Sequence, residues 1–125
     1  MTDGRASVGR RAEALAAEHL ERCGMRIVAR NWRRPEGELD LVALDSEGTC
    51  VFCEVRSRTG DASGDALEAI SPRKRAQVVR LARLYLATES LAASAYRFDV
   101  VAVTFSQDDA SPTLIHIPAA FETSS

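Results

Sequence analysis

The sequence predicts an α/β domain in which two helices pack on a mixed five-stranded sheet, in the order α-β-β-β-α-β-β. Three observations support this fold class. Apolar residues recur at helical spacing over residues 7–23, and two alternating strand patterns flank a short loop at 46–48. The apolar run at 99–103 is typical of a strand covered on both faces. A chain of 125 residues suffices for one domain, so residues 1–125 should form a single unit with its core at about 5–121.

Local signals place each element in turn. Ser7 is a candidate N-cap for the first helix, and Gly24 stands where that helix should stop. Ser71 followed by Pro72 opens a second helix that should end near Thr88. The other segments are strands at 25–31, 37–45, 49–58, 96–105 and 113–118, a loop at 59–70 and a frayed end beyond Phe121.

Composition is that of an ordinary globular protein, with 46% hydrophobic and 27% charged residues. The N-terminal residues contain no apolar core of the signal-peptide type, and no apolar window approaches the length of a membrane span. A cytoplasmic protein that does not enter the membrane is therefore expected.

The three cysteines, an odd number, suit a reducing compartment with free thiols. Cys50 and Cys53 lie on a predicted strand and should point to opposite faces, which argues against a shared zinc or redox site. His19 and Cys23 have helical spacing, but a structural zinc site needs four converging ligands. The cysteines are therefore predicted to be small buried hydrophobes and His19 a core-edge residue, while the sequence offers His116 no partner.

Two basic segments lie within a chain of net charge −2. Residues 22–34 hold five arginines and no acid, and residues 73–83 hold five basic residues and no acid. Fifteen of the sixteen basic residues are Arg, which can bind phosphate with two parallel hydrogen bonds. These segments predict binding to a nucleic-acid backbone, and a solvated helix face is the plain alternative. The predicted contact residues are Trp32, Arg33, Arg34, Arg58, Arg73, Lys74 and Arg75.

The strand hairpin brings acids together. If residues 46–48 form a three-residue loop, Val42 faces Phe52, Asp40 faces Glu54 and Glu38 faces Arg56. Two opposed carboxylates in a half-buried sheet repel, at a cost of at least a few kcal/mol unless something neutralises them. Protonation or pairing with an arginine would be a structural answer, and a divalent cation would be a functional one.

Several motifs carry a family resemblance. They are GRRAEALAAEHLERCG at 9–24, ARNWR at 29–33, GELDLVA at 37–43, VFCEVRSR at 51–58, Gly64, Lys74, RFDVV at 97–101 and IHIPAAF at 115–121. GELDL followed by CEVRSR resembles the motif region of the PD-(D/E)-x-K nuclease superfamily. The whole chain is similar to the bacterial YraN family, whose relatives include archaeal Holliday-junction resolvases. The resemblance implies a restriction-endonuclease-like, or tRNA-endonuclease-like, fold.

The resemblance also implies site residues. Glu13 on the first helix, Asp40 and Glu54 match the superfamily acids that hold Mg²⁺, for which Mn²⁺ can substitute. The backbone carbonyl of Val55 is a further expected ligand. Arg56 occupies the place of the superfamily lysine; a guanidinium can bind a scissile phosphate but is not expected to act as a base near neutral pH. The expected activity is hydrolysis of DNA, branched or single-stranded, by a metal-dependent endonuclease.

Other interpretations remain open for these residues. Asp40 and Glu54 can form cross-strand pairs with arginines, Glu13 can be a helix-edge residue, and Lys74 can extend from the core rim instead of facing phosphate. Glu38 can be an ion-pair partner of Arg56 or a secondary metal ligand. Asp99 is expected to support the fold. The chain as a whole can be a nucleic-acid binding module without cleavage, or an adaptor whose arginines bind acidic proteins. A homodimer is expected by analogy with small junction resolvases.

Overall fold

The computed structural model describes residues 4–59, 70–106 and 111–121, with side chains described from residue 8 onward. The elements of this part of the chain are α1 Gly4–Arg22, β1 Arg26–Arg34, β2 Gly37–Leu44, β3 Thr49–Thr59, α2 Pro72–Glu89, β4 Ala95–Phe105 and β5 Thr113–Phe121. The predicted order and fold class are confirmed. Gly64, nearly all of the predicted 59–70 loop and the end beyond residue 121 lie outside the described residues.

The five strands form one sheet in the order β1-β2-β3-β4-β5. Neighbouring strands are antiparallel except β3 and β4, which are parallel. A parallel pair cannot be joined by a tight turn, and α2 lies in the connection between these two strands. The sheet is therefore mixed, as the sequence predicts.

The two helices cover opposite faces of the sheet. Small residues of α1 allow it to pack closely on one apolar cluster, whose central members are Ala12, Ala16, Leu20, Leu41, Val51, Cys53, Val101 and Val103. The other cluster lies under α2 and includes Leu39, Val42, Cys50, Phe52, Val78, Leu81, Tyr85 and Phe98. Both faces of the β3–β4 pair are thus buried, which explains the four consecutive apolar residues at 100–103 that follow Asp99. Among the described residues, no helix is both long enough and apolar enough to span a membrane.

The helix ends follow local chemistry, with one correction. Ser71 caps α2: its hydroxyl accepts from the Lys74 backbone N–H at 3.1 Å, as predicted. Gly24 follows α1 with φ +90°, a conformation that favours glycine at a helix stop. The predicted start of α1 at Ser7 is wrong, because the helix begins at Gly4 and Ser7 lies within it. Arg5 and Ala6 are both good helix formers and extend it toward the N-terminus.

The β2–β3 hairpin has the predicted register over its first half. Val42 pairs with Phe52, and the ladder runs from Leu44–Cys50 to Leu41–Cys53. Gly48 has φ +86°, the left-handed conformation expected in the loop. The ladder ends at Leu41, so the predicted strand pairing of Asp40 with Glu54 and of Glu38 with Arg56 is not formed.

The cysteines need a second correction. Cys50 and Cys53 are free, buried and on opposite faces of β3, as predicted. Burial raises the pKa of the Cys50 thiol to about 11, which makes it inert near neutral pH. Cys23 is instead exposed. It lies just beyond the last helical residue of α1, where the chain turns toward β1 and leaves the apolar face.

Candidate metal centre

The candidate site forms where β2 leaves β3. Leu39 packs on the α2 side of the sheet and Leu41 on the α1 side, so the usual alternation of a strand is broken at Asp40 between them. On β1, Asn31 faces this point with φ +50°, and Asn tolerates that conformation better than most residues. The Asp40 carboxylate accepts from the Val55 backbone N–H at 2.9 Å. The Asp40 side chain thus accepts the kind of hydrogen bond that a backbone carbonyl accepts within a β-ladder.

Three carboxylates converge at this point. Glu13 from α1 and both Glu38 and Asp40 from β2 each offer an oxygen, and these oxygens all lie within 4.8 Å of one another. All three side chains are half-buried. Two of the predicted acids, Glu13 and Asp40, are therefore brought together, and Glu38 joins them. Oxygen ligands at this spacing are those that Mg²⁺, Mn²⁺ or Ca²⁺ use in proteins.

Glu54 is next to this group but not inside it. Its side chain is only 3% exposed, and its Oε1 lies 3.6 Å from Nζ of Lys74 at the start of α2. The Lys74 side chain therefore faces inward, which is one of the two orientations that the sequence left open. It supplies a positive charge to the carboxylate that the sequence assigned to the metal.

Burial and mutual repulsion disturb the acids. Desolvation, followed by the neighbouring Glu13 and Glu38 charges, raises the pKa of Asp40 to about 6, against the backbone hydrogen bond from Val55. Desolvation and the Asp40 charge raise the pKa of Glu54 to about 7, and Lys74 opposes this. Carboxyl groups with raised pKa in one cluster carry an electrostatic cost in the folded protein, and a bound cation would relieve it.

Arg56 lies on β3 two residues after Glu54, on the same face. Its charge lowers the pKa of Glu54, so the two side chains interact. The Arg56 Nε atom is buried and has no hydrogen-bond partner among the described residues. A buried donor of this kind is costly to leave unpaired, and a phosphate oxygen is a suitable acceptor for it.

A basic groove lies beside the acids at the N-terminal end of α2. It has a volume of about 300 Å³ and is lined by Ser71, Arg73, Lys74, Gln77 and Arg80. Lys74 belongs both to this groove and to the Glu54 ion pair. Backbone N–H groups at a helix N-terminus add to the positive potential that such a groove offers to an anion.

The other predicted contact residues have mixed surroundings. Arg33 is exposed and pairs with Glu38 at 2.8 Å, which ties one basic residue to the acid cluster. The guanidinium of Arg34 lies 3.9 Å from the centre of the Trp32 ring, and that ring also packs edge-on against Tyr85. Trp32 is therefore both packed against the fold and stacked on an arginine plane.

Two predicted contact residues are engaged by the fold. Arg75 donates from Nε to the Ile70 carbonyl at 3.0 Å, which fixes the segment that precedes α2. Arg58 is half-buried near the end of β3. Neither residue lines the basic groove, which contains two of the predicted contact residues, Arg73 and Lys74.

A second polar cluster was missed by sequence reasoning. Asp99 on β4 is fully buried and accepts from Arg97, His116 and the Ala119 backbone N–H, at 2.8 to 3.2 Å. Although burial alone would raise it, these hydrogen bonds hold the pKa of Asp99 below its ordinary value. The sequence suggested a fold-supporting role for Asp99, and these contacts agree. Because these residues are separated in the sequence, the contact between His116 and Asp99 was not predicted.

We expect the metal-free protein to lose stability as pH rises. Asp40 and Glu54 have ordinary pKa values of 3.8 and 4.5 when exposed, and about 6 and 7 in the fold. The folded state thus binds more protons between pH 4.5 and 7, so the free energy of unfolding falls through this window. In Asp40→Asn, this fall in the free energy of unfolding should be smaller by about 2 kcal/mol. Urea unfolding in EDTA at pH 5 and pH 8 measures it.

Glu18→Gln, at an exposed position on α1, is the matched control and should behave like the parent protein. Added Mg²⁺ should restore more stability at pH 8 than at pH 5, because protons compete with the cation. Equal pH dependence in Asp40→Asn and the parent would contradict the strain assigned to this cluster.

The fold and the site together define a class of protein: a mixed α/β domain with a cluster of acids at the divergence of two central strands and a basic groove beside it. Comparison with known proteins gives the family. Residues 12–103 match the model described as "Uncharacterised protein family UPF0102". The chain belongs to this family, which confirms the YraN membership that its motifs indicate.

Relatives match over nearly the full length. A UPF0102 protein of Anaeromyxobacter dehalogenans is 48% identical over 96% of this chain and 87% of its own length. One from Pseudomonas aeruginosa is 46% identical over 98% of this chain and 99% of its own. One from Acidothermus cellulolyticus is 44% identical over 94% of this chain and 95% of its own.

Proposed function

We propose that this protein is a Mg²⁺-dependent nucleic-acid phosphodiesterase, an endonuclease that acts on DNA. The observation that carries the proposal is the convergence of carboxylate oxygens from Glu13, Glu38 and Asp40 within 4.8 Å, next to a basic groove. Acids placed this close together destabilise a fold that does not use them. Beside them, the groove offers positive charge to a phosphate backbone.

The residues at the site fit the ion and divide into roles. Glu13, Glu38 and Asp40 would hold it directly, and Glu54 would act from beside them, within reach of Lys74. Here the ion would supply Lewis-acid polarisation of the phosphate and a water molecule of lowered pKa. The hydrogen bond from the Val55 N–H fixes the position of the Asp40 carboxylate.

Arg56 and Lys74 would stabilise the negative charge that builds on the phosphate. Arg56 has a buried Nε in need of an acceptor, and a guanidinium positions phosphate oxygens well. It does not act as a base, because it keeps its proton at neutral pH. Lys74 reaches the acids from α2 and so presents an ammonium group between the carboxylates and the groove. This arrangement supports phosphate binding on the groove side of the acids.

The direct test is cleavage. Purified protein should nick or cut single-stranded or four-way-branched DNA in Mg²⁺ or Mn²⁺, and EDTA should stop the reaction. Hydrolysis should follow the protein through successive chromatographic columns. A preparation that binds these substrates but cuts none of them in either metal would overturn the nuclease proposal.

We also expect nucleic-acid binding to depend on the groove. Changing the groove residues Arg73, Lys74 and Arg80 together to Gln should weaken DNA binding about 10-fold or more at moderate salt and reduce its salt dependence, because each phosphate contact releases counterions. Arg26→Gln is a control for the loss of a single exposed charge away from the groove: Arg26 pairs with Leu44, at the opposite end of β2 from Gly37. Fluorescence anisotropy across a salt series measures both effects.

One observation favours a second candidate function, a binding module without cleavage on the same fold. Lys74 already supplies a counter-charge to Glu54 at 3.6 Å, which reduces the need for a cation there. That module would bind DNA with the same salt dependence and show no hydrolysis. Binding that does not respond to salt would point instead to a protein-binding adaptor.

A further inference from the structure

A second cluster of metal-ligating atoms lies away from the acid site, between the C-terminal end of α1 and β5. His19 Nε2 lies 3.0 Å from His116 Nδ1, and Cys23 Sγ lies 3.5 Å from the same His19 atom. All three ligand atoms are within 4.8 Å of one another. The His rings meet edge to face, with centroids 5.0 Å apart. Two imidazoles and a thiol thus converge on one point.

The hydrogen bonds prepare His116 to act as a ligand. Its Nε2 lies 2.8 Å from Oδ2 of Asp99, a buried carboxylate. In the neutral ring that Nε2 carries the proton, and Nδ1 keeps a lone pair directed at His19. A histidine oriented by a carboxylate through its other nitrogen is the usual arrangement around protein-bound zinc. Asp99 is held in turn by Arg97 and the Ala119 N–H, so the orientation of His116 is fixed by the fold.

The distances suit a small tetrahedral ion. With metal–nitrogen bonds of about 2.0–2.1 Å and a metal–sulfur bond of about 2.3 Å, tetrahedral ligand atoms lie roughly 3.3–3.6 Å apart. The observed 3.0 Å and 3.5 Å differ from these values by a few tenths of an ångström. Thiolate and imidazole are borderline-soft ligands that select Zn²⁺ and related transition ions over Mg²⁺. This donor set therefore differs in kind from the carboxylates at the acid site.

Accessibility supports the same conclusion. Cys23 is exposed, whereas Cys50 and Cys53 are buried, so this thiol can be reached from solvent. A site of three protein ligands leaves one coordination position for water or another small ligand.

We propose that His19, Cys23 and His116 form a binding site for Zn²⁺ or a similar divalent transition ion, with Asp99 orienting His116. The site joins α1, which carries Glu13, to the edge strand β5. It is independent of the proposed nuclease activity and of the acid cluster. The ion would stabilise the folded protein, since the unfolded chain does not bring these three residues together.

Cobalt spectroscopy tests the site. Reduced, metal-free protein titrated with Co²⁺ should develop d–d bands of tetrahedral intensity and a thiolate-to-cobalt charge-transfer band, saturating at a single equivalent. Zn²⁺ should displace the cobalt and raise the thermal unfolding midpoint. Cys23→Ser should abolish the charge-transfer band, and His19→Gln should weaken binding at least about 10-fold, the effect typical of losing a group at a metal site.

Two controls separate this site from the acid cluster. Glu18→Gln on the exposed face of α1 and Asp40→Asn at the acid cluster should both keep the charge-transfer band. Alkylation of the unmodified protein gives a readout that needs no variant: Zn²⁺ should slow the labelling of Cys23 by iodoacetamide. Cobalt binding without a thiolate band, or binding lost in Asp40→Asn and kept in Cys23→Ser, would overturn the proposal, as would alkylation that Zn²⁺ leaves unchanged.

Discussion

Asp40→Asn should abolish Mg²⁺-dependent cleavage of DNA, with a loss of at least about 10³-fold, because a metal ion contributes several kcal/mol and each 1.4 kcal/mol is tenfold in rate. Asn removes the negative charge that would hold the proposed cation. It keeps a carbonyl oxygen that can still accept from the Val55 N–H, so the local fold should survive. Rates of nicking measured on the same substrate for both proteins give the ratio.

Variants of the other acids in the cluster should lose less activity. Glu13→Gln and Glu38→Gln each remove one oxygen ligand of the cluster and should reduce activity less than Asp40→Asn does. Glu18→Gln changes an exposed acid on α1 and should leave the rate unchanged. Circular dichroism should show the same fold in all four variants. An Asp40→Asn protein as active as the parent would indicate a contaminating nuclease and end the catalytic proposal.

Asp99→Ala should cause the largest loss of stability, about 3–5 kcal/mol, which is the range for removing one partner of a buried charged network. The Asp99 side chain is 0% exposed and accepts four hydrogen bonds, two of them from Arg97. Without it, the Ala119 N–H and the His116 Nε2 lose their acceptor at the β4–β5 edge. Natural domains are stable by only about 5–15 kcal/mol, so the variant should be close to unfolding at room temperature.

Urea denaturation at pH 7 measures this loss, with Glu18→Ala as an exposed control expected to change stability by less than about 0.5 kcal/mol. Asp99→Asn should fall between Asp99→Ala and the parent, since the amide oxygen accepts from some of the same donors but carries no charge. A loss below about 1 kcal/mol for Asp99→Ala would contradict the role assigned to this network.

The sequence predicts the hairpin well because its signals are local. The spacing between Asp45 and Thr49 fixes the loop, and the loop fixes the register of Val42 against Phe52. Where the pairing stops is not a local property. It depends on the left-handed backbone at Asn31 of the neighbouring strand and on a break in alternation at Asp40. The register was therefore predictable, and the departure of β2 from β3 was not.

The membership of the acid cluster was predictable only in part, for the same reason. Asp40 and Glu13 follow from the resemblance to known motifs, and both reach the site. Glu38 was expected either to pair with Arg56 or to be a secondary ligand. The ladder ends before the Arg56 pair, and Glu38 instead pairs with Arg33 and lies beside the other two acids. The Lys74–Glu54 pair required α2 to be placed over β3, which no sequence period specifies.

The His19, Cys23 and His116 cluster lay beyond sequence reasoning. His19 and Cys23 share a helix end, and their spacing was visible, but His116 is 97 residues from His19. The β4–β5 register carries an irregularity between Phe98 and Val100, so alternation along the strands could not place His116 beside Asp99. A polar residue within an apolar strand pattern was the available signal for Asp99, and its neighbours could be found only in three dimensions.

A crystal soaked in Mn²⁺ tests the central proposal most directly, because the ion scatters anomalously and its position can be measured. An anomalous peak is expected within bonding distance of carboxylate oxygens of Glu13, Glu38 and Asp40, at about 2.0–2.2 Å as for small oxygen-seeking divalent ions. The peak should be absent in Asp40→Asn crystals grown in the same form. A fully occupied Mn²⁺ elsewhere on the protein, with none at these three acids, would contradict the proposal.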